Sequence, residues 1–197
     1  MKKLILAIVL ILLIPELSSA QTPENKRHET TFSWGTLPVT DIFNAYIFVG
    51  NDLINIFSKE RTESGNILGA FNFGYNYYAK PWLGVGGTFT YSGFQQKTYD
   101  KYDNMLQKKR YNYYTLMPTV KFLWFRGHGN ILKFYSKLGI GVILATAKTN
   151  STIKRSQCFT AYQLSPIGME IGRTWGFFLE LGWGENGFLQ TGLRCRF

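Results

Sequence analysis

The chain has 197 residues, a formal net charge of +10 and two cysteines, which suits one domain. Aromatic residues make up 17% of it, with 16 Phe, 12 Tyr and 5 Trp beside 20 Gly, more bulky rings than one small soluble core would normally hold. No stretch after residue 20 is an uninterrupted apolar helix long enough to cross a bilayer, which excludes a bundle of membrane helices.

Lys2 and Lys3 precede an apolar run from Leu4 to Ile14, then Pro15 and the small-residue site Ser18-Ser19-Ala20. This is the order of a secretory signal peptide cut after Ala20. At 11 residues the run is well short of the ~20 of a spanning helix, and no Cys follows it to carry a lipid. The expected organisation is a signal peptide over 1–20, a short segment over 21–28 and one domain over 29–197. Thr30 to Gly35 reads as a first strand with Phe32 and Trp34 on one face.

Residues 39–58 break that pattern. Asp41, Asn44, Asn51, Asn55 and Ser58 recur at helical spacing on an otherwise apolar surface, and Thr40 or Asp41 could cap the start. The spacing predicts one amphipathic helix between the first two barrel strands, serving either as a lid or lipid-sensing element or as a structural seal.

From residue 67 onward the chain alternates with a period of two between turn signals. Phe71, Phe73, Tyr75 and Tyr77 oppose Ala70, Asn72, Gly74 and Asn76, and Ala79-Lys-Pro81 turns the chain. Leu83, Val85, Phe89 and Tyr91 oppose Gly84, Gly86, Thr88 and Thr90. Tyr114, Leu116, Val120, Phe122 and Trp124 oppose Tyr113, Thr115, Thr119 and Lys121, and 126–130 is a turn. Leu132, Phe134, Leu138, Ile140, Val142 and Leu144 oppose Lys133, Tyr135, Lys137, Gly139 and Gly141. Over 158–171 the apolar set changes phase near Pro166, as at a β-bulge. Phe177, Leu179, Leu181 and Trp183 oppose Phe178, Glu180, Gly182 and Gly184. The final strand sets Leu189, Thr191, Leu193, Cys195 and Phe197 against Gln190, Gly192, Arg194 and Arg196.

Eight strands result, an even number that suits a closed antiparallel barrel. With Phe197 in the periplasm, the turns at 79–82, 126–130 and 172–175 are periplasmic. The connections at 36–64, 95–109, 147–156 and 184–187 are then extracellular, and three of the four are longer, the expected asymmetry. A soluble ligand-binding barrel would have to point the bulky set inward, into a space barely wide enough for ordinary side chains. The small set fits the lumen and the large set fits lipid.

Four segments, Thr115-Leu-Met-Pro-Thr-Val-Lys-Phe122, Tyr135-Ser-Lys-Leu-Gly-Ile-Gly-Val142, Leu164-Ser-Pro-Ile-Gly-Met-Glu170 and Gly187-Phe-Leu-Gln-Thr-Gly-Leu-Arg-Cys-Arg-Phe197, carry a resemblance. The chain resembles the small outer-membrane β-barrel proteins of diderm bacteria, related in architecture to the OmpA and OmpX barrels, over roughly residues 29–197. The resemblance implies an all-β transmembrane barrel in the outer membrane. It also implies that Phe197 is the closing signal read by the barrel assembly machinery. It names no activity.

Two sets of residues are candidates for function. Lys121, Lys133, Lys137, Glu170, Glu180, Arg194 and Arg196 share the lumen face, where charges must pair or reach water. They read as a polar plug, with a gated pore or narrow solute channel as the alternative. Lys97, Lys101, Lys108, Lys109, Arg110, Lys148, Lys154 and Arg155, interleaved with Tyr99 and Tyr102, form an outer-loop basic patch. It is either ordinary solvated loop charge or a site for outer-membrane lipid, lipopolysaccharide phosphates or acidic glycans. No nucleic-acid-binding fold accompanies it.

An enzyme on a barrel this size needs a His near a nucleophile or carboxylate at the outer face. Only His28 and His128 exist, both expected at the periplasmic side, and no catalytic or metal motif is present. No catalytic site, cofactor or metal is therefore expected. Cys158 and Cys195 fall near opposite ends of the barrel, too far apart for a disulfide. The sequon Asn150-Ser-Thr152 reads as chance.

Overall fold

A computed structural model describes residues 26–40, 61–64, 69–99, 105–149 and 152–197. The signal peptide and the helix over 39–58, apart from Val39 and Thr40, lie outside the described residues. The strands are β1 (His28–Thr36), β2 (Arg61–Ser64), β3 (Ala70–Lys80), β4 (Leu83–Tyr99), β5 (Met105–Arg126), β6 (Leu132–Thr149), β7 (Thr152–Gly172), β8 (Trp175–Gly184) and β9 (Leu189–Arg196). Each barrel strand pairs antiparallel with the next, and β1 closes on β9 from Glu29↔Arg196 to Thr36↔Leu189. Eight strands, β1 and β3 to β9, form a closed barrel, and β2 is an extra short strand on β4.

Alternation sets the two faces. Along β3 and β8, buried and exposed residues alternate nearly without a break. The bulky set, from Phe32 and Phe73 through Leu116, Ile140 and Val142 to Leu179 and Leu193, points outward. All five Trp, at 34, 82, 124, 175 and 183, are exposed on that outer surface. They lie in two belts. Trp34 shares its row with Phe71, Tyr91 and Tyr114 near one rim, where Trp183 Nε1 also donates to Tyr162 Oη at 3.1 Å. Trp82 stacks on Phe122 and Trp124 on Phe134 near the other rim. From Tyr114 to Trp124 is about 33 Å along a strand at ~3.3 Å per residue. At a ~40° tilt that is about 25 Å of axis, the height of a hydrocarbon core.

The bulge falls at Pro166. Register shifts occur between Leu164 and Ile167 against β8 and between Tyr135 and Lys137 against β6, and Pro166 and Ile167 both face out. Pro has no N–H to give to the ladder, so the extra residue is placed where none is needed.

Two expectations need correction. The stretches read as loops over 95–109 and 147–156 are largely strand: β4 runs to Tyr99, β5 starts at Met105, β6 reaches Thr149 and β7 starts at Thr152. Pairing of β3 with β4 stops at Ala70↔Ser92, and pairing of β7 with β8 begins only at Gln163↔Gly184. So β4 to β7 stand beyond the barrel rim as a four-strand ribbon. One edge carries β2, and residues 152–162 of β7 have no neighbouring strand on the other side among the described residues. The turn after β3 also moves, to Pro81–Trp82.

Candidate functional site: the closed lumen

Inward-facing positions of β1, β5, β7 and β9 bring one cluster together at the end of the barrel that holds His28 and Phe197. Lys121 Nζ donates to Glu29 Oε1 at 2.7 Å and also to Glu170 Oε1. Arg194 Nε lies 3.0 Å from Glu170 Oε2, and Arg196 bridges Glu29 and Glu170. Both carboxylates are fully buried. Tyr78 Oη donates to Glu29 at 3.1 Å, and its ring lies 4.4 Å beneath the Arg196 guanidinium. Tyr135 places its ring 4.1 Å from the Lys121 ammonium. In so narrow a lumen each ion must find its counter-charge and remaining hydrogen bonds inside the protein.

One layer further along the axis, Glu180 gathers four donors. Lys137 Nζ approaches Oε1 to 2.7 Å, Tyr135 Oη donates to Oε2 at 2.8 Å, Gln190 Nε2 donates to Oε1 at 2.9 Å, and Ser165 Oγ donates to Oε1. The chain of bonds continues outward. Gln163 Nε2 donates to Ser165 Oγ at 3.0 Å, and the Asn186 backbone N–H donates to Gln163 Oε1 at 2.9 Å. Thr90 Oγ1 lies 2.8 Å from Asn72 Oδ1 and 2.9 Å from Asn186 Oδ1, and Asn72 Nδ2 donates to the Asn186 carbonyl at 3.1 Å.

That outer layer depends on the β8–β9 turn folding into the barrel. Read from sequence as an extracellular loop at 184–187, the turn instead buries Glu185 and Asn186 within the lumen. Gly187, at φ 106°, supplies the left-handed step, and Phe188 N–H donates to Thr36 O at 2.7 Å to pin the turn. Met117, Ile143 and Ala161, on β5, β6 and β7, pack together as a buried apolar cluster.

All seven lumen candidates lie inside the barrel and are buried. Lys121, Lys137, Glu170, Glu180, Arg194 and Arg196 join ion pairs; Lys133 makes none with a described residue. Sequence reading missed Glu29, which fell one residue before the expected first strand. Its parity with Thr31, Ser33 and Gly35 was the available signal.

The basic patch sits at the outer ends of strands and not in loops. Lys97 is on β4, Lys108, Lys109 and Arg110 on β5, Lys148 on β6, and Lys154 and Arg155 on β7; Lys101 lies outside the described residues. Register places Lys97 opposite Lys108 and Arg110 opposite Lys148. Arg110 and Lys148 are exposed.

Phe197 stacks on the His28 ring at a centroid distance of 5.7 Å, and the two residues exchange backbone hydrogen bonds of 2.8 Å. His28 Nδ1 is 2.7 Å from Tyr75 Oη, so its polar neighbour is a phenol. Cys158 is exposed, Cys195 is buried, and no disulfide joins them. Among the described residues no group of three or more His, Cys, Asp or Glu converges as metal ligands.

Neither a protein-family model nor a curated protein sequence matches this chain. Two solved structures of Ail, the attachment invasion locus protein of Yersinia pestis, are similar to it. One, in complex with the heparin analogue sucrose octasulfate, has 15% sequence identity and a TM-score of 0.41, covering 86% of this chain and 95% of that one. The other has 13% identity and a TM-score of 0.40, covering 87% of this chain and 93% of that one.

Proposed function

We propose that this chain is an integral outer-membrane barrel without catalytic activity, whose lumen is a structural plug and whose ribbon of β4–β7 is its interaction surface. The observation that carries the reading is the inversion of faces. Large apolar side chains and all five Trp point outward over a belt of bilayer height, while Glu29, Glu170, Glu180, Lys121 and Arg194 fill the interior. In water such a surface would drive association; in lipid it is the ordinary outside of a barrel.

The ion pairs and the inturned 185–188 segment favour a plug over a channel, because a conducting path would have to displace buried, mutually bonded charges. Outside the bilayer, the ribbon offers a β7 edge with no strand beside it among the described residues, and a concentration of Lys and Arg positions. An extended segment can add to such an edge, and phosphate or sulfate groups suit such charge. Lipopolysaccharide is the nearest polyanion to it in an outer membrane.

Planar-bilayer recording on the purified barrel tests the plug, which should give no stable conductance steps. Steps that persist across preparations would replace the plug with a narrow solute channel. Binding of lipopolysaccharide that weakens when Arg110 and Lys148 are both changed to Gln supports the ribbon surface. Unchanged binding removes that surface from the proposal.

A further inference from the structure

The lumen charges do not balance at the end that holds His28 and Phe197. Two buried carboxylates, Glu29 and Glu170, face three buried cations, Lys121, Arg194 and Arg196. Lys133 makes a fourth. It is only 5% exposed and makes no hydrogen bond or ion pair with any described residue. It stands opposite Glu170 in register, but the Glu170 oxygens are taken by Lys121, Arg194 and Arg196. The charges of Arg196 and Arg194 bear on the Lys133 ammonium, and Glu170 offsets them only in part.

Lys133 lines a cavity of about 550 Å³ at the barrel mouth, in the size range of small-molecule sites. Around the same cavity stand Lys26, Arg27, Lys80, Arg126 and Arg173, with Arg196 also on its wall, and among the described residues none that lines it is acidic. The mouth is held in place locally: Lys26 Nζ donates to Thr174 Oγ1 at 2.6 Å, Arg126 donates to the Pro81 carbonyl, and Arg194 Nη1 donates to the Arg173 carbonyl at 3.1 Å. Planar guanidinium forks on several sides of one pocket match the oxygens of a tetrahedral phosphoanion better than a lone carboxylate.

We propose that this mouth is a binding site for phosphate-bearing anions, which offset its excess of positive charge by pairing with Lys133. The phosphate can come from a soluble phosphoanion or, if the barrel is membrane-embedded as proposed above, from an anionic lipid headgroup at the adjacent bilayer surface.

The test uses the whole mature barrel refolded in phosphatidylcholine vesicles, with pyrophosphate as the soluble probe and phosphatidylglycerol as the lipid probe. Ionic strength is held constant with sodium chloride. The expected result is a rise in the urea midpoint with one probe. Lys133→Met and Arg173→Ala should each weaken that response at least about tenfold, the loss of one charge-assisted contact. Without probe, Lys133→Met should have a midpoint no lower than wild type, since it removes an unbalanced charge. A response to pyrophosphate assigns the site to soluble phosphoanions; a response to phosphatidylglycerol alone assigns it to lipid headgroups. No response to either probe, or equal responses in wild type and both variants, overturns the site. None of these outcomes depends on the conductance or lipopolysaccharide measurements, so this site and the plug reading fail separately.

Discussion

Replacing Glu180 with Met removes a buried carboxylate and leaves Lys137, 8% exposed, without its counter-ion. Tyr135, Ser165 and Gln190 lose their shared acceptor at the same time. Stranding one member of a buried pair costs about 3–5 kcal/mol. At roughly 2 kcal/mol per molar urea that lowers the unfolding midpoint by about 1.5–2.5 M. Lys137→Met falls at the lower end, because Glu180 would keep its other three donors. The double variant Lys137→Met with Glu180→Met contains no stranded charge, and a packed apolar pair can replace a buried ion pair nearly without loss. It should therefore be more stable than Glu180→Met alone. Heat-modifiable migration and tryptophan emission across a urea series, in the same vesicles for all four proteins, measure the cycle. Single-variant losses that add within about 0.5 kcal/mol would show that the two side chains do not interact, and the plug argument would fail.

Glu29→Gln should also lower the stability, by about 3 kcal/mol, since Lys121 and Arg196 are left to share Glu170 alone; a loss under 0.5 kcal/mol would place Glu29 in water. Gly168→Ala drives a methyl into the Tyr135 ring, which is packed against the glycine, and overpacking of this kind costs about 1–3 kcal/mol in the same urea assay. Deleting Phe197 removes the His28 stack and both backbone bonds of the closing pair, so heat-modifiable barrel in outer-membrane fractions should fall; normal yield would show that the terminal residue is dispensable. A membrane-impermeant maleimide on intact cells should label Cys158, exposed near the ribbon, and spare Cys195, buried at the other end; the reverse pattern would invert the proposed orientation.

The barrel was legible in the sequence wherever lipid faces one side and the lumen the other, because that contrast forces a strict period of two. Phe71, Phe73 and Tyr75 against Asn72, Gly74 and Asn76 is such a stretch. Beyond the belt the contrast vanishes. Gln95-Gln96-Lys97-Thr98 and Lys108-Lys109-Arg110 have no apolar face to alternate, so β4 and β5 read as loop although their pairing continues to Tyr99↔Met105. Parity placed Lys121, Glu170, Glu180 and Arg194 in the lumen, but parity does not say which charges meet. The Lys121 partner Glu29 sits at the strand's first turn of alternation, preceded only by polar residues. Glu185 and Asn186 carry the polar composition of any surface turn, and the close approach of the Asn186 carbonyl depends on Gly35, where an added Cβ would meet it at 1.8 Å, a property of the assembled barrel.

The decisive property of this barrel is that its outward face lies in lipid. All five Trp are on that face, so the intrinsic emission reports on it alone. The barrel refolded in vesicles of brominated phosphatidylcholine should lose most of its tryptophan fluorescence relative to unbrominated vesicles, while iodide in the water quenches little. Emission indifferent to the brominated chains and quenched by iodide would mean that Trp34, Trp82, Trp124, Trp175 and Trp183 face water, and the membrane reading would be wrong.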